Sequence, residues 1–169
     1  MNYLHHYTSP LGNMTMASDG TALTGLWFDD QKYFALGIDG NSLETDLSVF
    51  HETSRWLDLY FSGICPDFTP KLHLRGSDFQ KMVWSILLTI PYGSTRSYRE
   101  IADQIAAMRE VAHMSAQAVG GAVGHNPVSI IVPCHRVLGS DGSLTGYAGG
   151  LEKKRYLLEL ESANGNNLA

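Results

Sequence analysis

The apolar residues change their period along this chain, and that change constrains the fold more than any other feature of the sequence. Over the first 30 residues, short β-type runs alternate with turn residues: "NYLHHYT", "SPLGN", "MTMAS", "DGT" and "LTGLWF". Such spacing predicts a small antiparallel meander. From Leu43 to Phe61 the apolar positions Leu47, Phe50, Trp56, Leu57, Tyr60 and Phe61 predict one or two helices packed on that sheet. A loop rich in turn residues, "SGICPDFTPKLHLRGS", follows. Beyond it, in "SDFQKMVWSILLTIP", Phe79, Met82, Val83, Ile86, Leu87 and Ile90 fall at the spacing of one helix face, and Pro91 stops the run. The expected class is α+β: a small antiparallel sheet with helix over residues 1–70, as a support domain, and a helical domain over residues 71–169. The boundary falls near residues 63–77.

Two more helices are predicted in the second domain. Ser97 and Glu100 have the capping-box spacing, with Ile101, Ala102, Ile105 and Ala106 as the inward face. A third helix begins near Ser115 and ends at or before Asn126, ahead of Pro127. Three helices with short connections, the last two joined tightly, suit a helix-turn-helix module and equally an ordinary helical subdomain. Within the third helix only Gln117 resembles a base-reading side chain, and Gly120 and Gly121 each cost roughly 1 kcal/mol of helix stability relative to Ala. A helix that slim would fit a narrow minor groove with one longer side chain pushed into the stack, or would let another helix pack closely.

The net charge of -5 conceals an asymmetry. Residues 1–70 hold Lys32 and Arg55 against nine acids, whereas residues 71–169 hold ten Lys or Arg against eight acids. An anionic partner would therefore meet the second half. The opening "MNYLHHYTSP" lacks the basic start and apolar core of a signal peptide, and no apolar run approaches the roughly 20 residues that span a bilayer. With two distant cysteines, Cys65 and Cys134, the chain reads as cytosolic, carrying reduced thiols and no membrane segment.

Residues 129–136, "SIIVPCHR", place Cys134 between a proline and a histidine. A lone cysteine is by default a small buried hydrophobe. A zinc site would need companions that neither Cys134 nor Cys65 has at metal-ligand spacing, and His5 and His6 on one strand would point to opposite faces, so no metal is expected. A nucleophile would need neighbours that favour the thiolate, and His135 and Arg136 are the nearest. Adjacent residues on an extended strand diverge, so Cys134 and His135 cooperate only if the chain turns at Pro133 or a water bridges them. The base would also need an orienting group, and "LEKKRYLLELES" offers Glu159 or Glu161.

The segments "NPVSIIVPCHRV", "GSLTGYAGG" and "LLELE" resemble the O6-alkylguanine-DNA alkyltransferases, the methylated-DNA-protein-cysteine methyltransferases, over about residues 78–161. The resemblance implies a winged helix-turn-helix-like module and a single-use repair protein, acting as a monomer with no cofactor on double-stranded DNA that contains alkylated guanine. Cys134 would accept the alkyl group from O6 of a flipped guanine, and possible repair of O4-alkylthymine stays open. By the same resemblance His135 is the base, acting through a bridging water, and Glu161 orients it. Asn126 holds the turn before the cysteine, and Tyr98 assists the departure of guanine. Ser115, Gln117, Ala118, Gly120 and Ser140 would contact DNA, with Val137, Tyr147, Ala148 and Gly149 lining the base pocket. Ala148 and Gly149 imply room for methyl and somewhat larger groups. Many members carry arginine where Gln117 stands, which predicts weaker and less salt-dependent DNA binding here.

Three other readings compete. A non-catalytic binder of alkylated DNA would lack the acceptor cysteine, and a transcription regulator would carry a further domain. A cysteine hydrolase would turn over repeatedly.

Overall fold

The computed structural model describes residues 2–32, 34–35 and 42–163. Strands β1 (Asn2–Ser9), β2 (Gly12–Ser18) and β3 (Leu23–Phe28) form the expected antiparallel meander. Gly12, at φ +113°, makes the first turn, where the Ser9 hydroxyl donates to the Gly12 carbonyl and accepts from the Leu11 amide. A short strand, β4 (Ser42–Glu44), lies parallel to β1, giving the order β3-β2-β1-β4. The sheet is therefore mixed. Three residues carry too little alternation to announce a strand, which is why Leu43 reads as the start of a helical segment.

One helix, α1 (Ser48–Phe61), crosses the sheet and buries Phe50, Trp56, Leu57 and Tyr60. Its partner face includes His5, whose ring stacks on Phe50 at 5.5 Å between centroids, while His6 meets the Thr15 hydroxyl. Gly25 is required in β3, because a Cβ there would lie 1.9 Å from the Trp27 ring.

In the second half, α2 (Asp78–Leu87) starts at a Ser77/Gln80 capping box and ends one turn before Pro91, although Ile90 remains buried. The two-residue strand β5 (Arg96–Ser97) leads into α3 (Tyr98–Met108), with the predicted Ser97/Glu100 box. Helix α4 (Ala116–Gly124) is capped by Ser115. The link between α3 and α4 is not tight: residues 109–115 intervene, and Glu110 takes φ +55° as the chain leaves α3. Leaving a helix through a left-handed residue redirects the chain, so a longer connection is needed before α4 can pack. Trp84 fixes that packing by donating its indole N–H to the Ala122 carbonyl at 2.8 Å. Strand β6 (Val137–Leu138) pairs with β5, and α5 (Leu151–Ala163) closes the described chain.

The two halves share one core. Beyond β2, strand β3 continues its hydrogen bonding into the second half: the Leu26 amide donates to the Pro127 carbonyl at 2.8 Å, and the Ser129 amide donates to the Leu26 carbonyl at 2.9 Å. No helix among the described residues is long and apolar enough to cross a membrane.

Candidate active site

Two three-residue turns deliver Cys134. In the first, the Ile131 amide donates to the Ser129 carbonyl at 2.8 Å around Ile130, which is held at φ +70°. A left-handed γ-turn is rare, and a β-branched residue there costs of order 1–3 kcal/mol. In the second, the Cys134 amide donates to the Val132 carbonyl at 2.8 Å around Pro133, at φ -82° and ψ 66°, an inverse γ-turn. Asn126 clamps the segment: its Nδ2 donates to the Val128 and Val132 carbonyls at 3.2 and 2.8 Å, and its Oδ1 accepts from the Val128 amide at 3.0 Å. A single 3-10 turn (Cys134–Arg136) follows. The chain thus turns at Pro133, and the divergence expected of strand neighbours does not apply to Cys134 and His135.

Behind the cysteine lies a buried polar cluster. His135 Nε2 stands 2.5 Å from Glu161 Oε2, the Tyr60 hydroxyl donates to the same oxygen at 2.6 Å, and Gly93 N–H reaches Oε1 at 3.2 Å. Arg136 donates to both carboxylate oxygens, through Nε at 2.8 Å and Nη2 at 3.1 Å, and through Nη1 to the Ile90 carbonyl at 2.7 Å. Burial alone would raise the Glu161 pKa, but His135 and Arg136 outweigh it and hold the carboxyl well below the usual range. Burial pushes the His135 pKa down despite Glu161, which favours the neutral ring. A neutral ring that donates through Nε2 has Nδ1 as its acceptor, and Nδ1 meets no donor among the described residues. Arg136 is therefore committed to Glu161 and does not serve the thiol.

The cation that does is Lys154, which the sequence reading missed. Its fully buried ammonium donates to the carbonyls of Val137, Thr145 and Gly146 at 2.6, 2.8 and 3.2 Å. Burial lowers its pKa to about 8 while the nearby Cys134 raises it. For Cys134, burial raises the thiol pKa, opposed by the Asn126 side chain and by Lys154. Burial thus favours the thiol over the thiolate, and a nucleophile at this position would first have to lose its proton.

Cys134, 5% exposed, lines a cavity of about 310 Å³ together with Tyr98, Gly120, His125, Tyr147, Ala148 and Lys32. The Tyr98 hydroxyl donates to the Thr145 carbonyl at 3.0 Å. Gly120 lies against Tyr98, where a Cβ would make an ordinary contact 3.9 Å from that ring, and nothing lies within 4 Å of the corresponding point on Gly121. Ser115, Gln117 and Ala118 are exposed on the first turn of α4. The carbonyl of buried Val137 is taken by Lys154, Ser140 sits in an exposed turn, and Gly149 backs onto Tyr147 and Phe28. Glu159 is exposed, so only Glu161 of the two candidates reaches His135. Cys65 is half-buried, with its thiol on the Pro66 carbonyl. Among the described residues no group of three His, Cys, Asp or Glu side chains suits a metal ion.

Known proteins resemble the chain along its whole described length. Residues 2–74 match the family described as 6-O-methylguanine DNA methyltransferase, ribonuclease-like domain, and residues 78–163 match its DNA binding domain. A methylated-DNA-protein-cysteine methyltransferase of Mycobacterium bovis is 49% identical over 162 residues, covering 95% of this chain and 93% of the relative. One from Methanosarcina barkeri is 46% identical, covering 92% and 94%. Among solved structures, Mycobacterium tuberculosis OGT in complex with DNA has a TM-score of 0.84 at 47% identity, covering 96% of this chain and 94% of that one. An O6-methylguanine DNA methyltransferase from Methanococcus jannaschii has a TM-score of 0.65 at 27% identity, covering 95% and 94%.

Proposed function

The chain belongs to the 6-O-methylguanine DNA methyltransferase family, and from that membership we propose that it repairs O6-alkylguanine in duplex DNA by moving the alkyl group onto Cys134. The observation that carries the assignment of roles is the buried His135–Glu161 pair, which leaves Nδ1 as the free acceptor of a neutral ring beside a buried thiol. His135 takes the thiol proton through a bridging water, and the resulting imidazolium is stabilised by ionised Glu161. The Cys134 sulfur then attacks the alkyl carbon, forming a C–S bond as the C–O6 bond breaks. The released electron pair moves into the guanine, where a proton relayed through Tyr98 onto a ring nitrogen neutralises it. A thioether offers no ordinary route back to a thiol, so each molecule acts once.

The lesion lies inside the base stack, so the nucleotide must flip into the cavity at a cost of a few kcal/mol. The exposed first turn of α4, with Gln117 at its outer face, supports entry from the minor groove. Residues 71–169 carry DNA binding and chemistry, residues 1–70 support them, and the protein works as a monomer in the reducing cytosol. A binding-only role is disfavoured by the presence of Cys134 itself.

The deciding experiment is peptide mass spectrometry after incubation with a duplex carrying one O6-methylguanine. Stoichiometric gain of one methylene on the Cys134 peptide, absent in Cys134→Ser, is expected. Bound duplex with unmodified Cys134 would overturn the proposal.

A further inference from the structure

Building on that transfer reaction, we infer that Gln31, from the N-terminal half, is a positioning residue for the acceptor: its buried amide oxygen takes the Ser129 hydroxyl and so holds the left-handed turn at Ile130 from which Cys134 is aimed. Gln31 is 7% exposed, and its Oε1 accepts from the Phe28 amide at 2.8 Å and from Ser129 Oγ at 3.1 Å. One oxygen thereby ties the end of β3 to the first residue of the strained turn. The Leu26 backbone grips the same residue, accepting from the Ser129 amide at 2.9 Å.

A β-branched residue at φ +70° persists only where its surroundings over-determine it. Asn126 supplies restraints from within the second half, on Val128 and Val132. Those on Ser129 come from the first half. If the Ser129 end relaxes, Ile130 moves toward ordinary backbone angles, and the displacement passes through Val132 and Pro133 to Cys134 only four residues away. The segment carrying Gln31 also meets the opposite wall of the cavity: the Lys32 amide donates to the Ala148 carbonyl at 2.9 Å, and Asp30 pairs with Lys153 at 3.1 Å. The N-terminal half therefore grips both the acceptor turn and the pocket loop, and Gln31 is its buried contact on the acceptor side.

The test is a set of full-length variants assayed for single-turnover transfer from O6-methylguanine duplex, for affinity to unmodified duplex, and for thermal stability. Gln31→Met keeps the length without the acceptor oxygen, Ser129→Ala removes the donor, and Gln31→Glu retains an acceptor. Gln31→Met and Ser129→Ala are each expected to slow transfer about tenfold with duplex affinity unchanged. The double variant should be no slower than the slower single, and Gln31→Glu should stay within about threefold of wild type. Unchanged rates despite lowered stability, or additive losses in the double variant, would overturn the positioning role. Failure of the wild type to transfer at all would count against the function itself. In that event the rate of Cys134 carbamidomethylation by iodoacetamide, in the same variants, decides on Gln31: a changed rate in both Gln31→Met and Ser129→Ala supports it and an unchanged rate refutes it.

Discussion

His135 and Glu161 meet at 2.5 Å between Nε2 and Oε2, with side chains no more than 1% exposed. The same carboxylate also neutralises Arg136 and binds the Tyr60 hydroxyl, so one residue of α5 organises three elements of the fold. Glu161→Gln keeps the shape but leaves Arg136 as a buried cation without its anion. We predict a loss of about 3–5 kcal/mol in chemical denaturation and at least about 100-fold slower single-turnover transfer. A variant of wild-type rate would show that His135 needs no carboxylate.

Acid should weaken the protein through the same pair. The folded pKa of Glu161 lies below its ordinary 4.5, so its contribution is complete above that pH and is lost as pH falls toward the folded value. The folded pKa of His135 lies below its ordinary 6.5, so the unfolded chain binds the extra proton as pH drops through that value. Both slopes have the same sign. The urea midpoint should fall continuously below pH 6.5, with a shallower decline below pH 4.5 in Glu161→Gln. A flat wild-type midpoint between pH 7 and 4 would contradict the burial of this pair.

Lys154 holds three carbonyls of the pocket loop and β6. Lys154→Met leaves them without a donor, and because only the Val137 carbonyl is fully buried, while those of Thr145 and Gly146 can reach water, we expect a loss of about 1–3 kcal/mol. Transfer should slow by up to about 100-fold as the loop loses its anchor. Thermal melts and single-turnover rates check both, and an unaffected rate would confine Lys154 to stability.

Tyr98→Phe removes one hydroxyl, which donates to the Thr145 carbonyl at 3.0 Å. If that group relays the proton to the departing guanine, transfer from O6-methylguanine duplex should slow about 100-fold while duplex affinity is unchanged. An unaltered rate would leave Tyr98 as a wall of the cavity only.

Gln117 stands exposed on the first turn of α4 without a formal charge. Gln117→Arg is predicted to tighten duplex binding and to steepen the plot of log affinity against log salt by about 1. A titration with neither change would place Gln117 away from the phosphate backbone and the stack.

Much of this was legible in the sequence. The period-2 runs announced the meander, apolar spacing announced α2, the Ser97/Glu100 capping box announced α3, and "PCHR" marked Cys134 as the cysteine to follow. The face of α5 was not legible, because its inward positions are Lys154, Leu157 and Glu161. Hydrophobic periodicity cannot register a helix that turns two charges inward. Contacts of Gln31 with Ser129, of Tyr60 with Glu161 and of Lys32 with Ala148 were likewise not legible, since they join residues 98 or more positions apart in the sequence.

Sequence alone determined which chemical groups are available: a thiol next to an imidazole, turn-forming residues before it, and helices whose caps and apolar faces are written within a few residues of each other. Tertiary structure decided which groups meet. It chose Glu161 over Glu159, gave Arg136 to the carboxylate, set Lys154 against the pocket loop, and brought Gln31 to Ser129. Local patterns encode local geometry because the interacting residues are neighbours in the chain, whereas the charge balance of a buried site depends on which distant segments exclude water together.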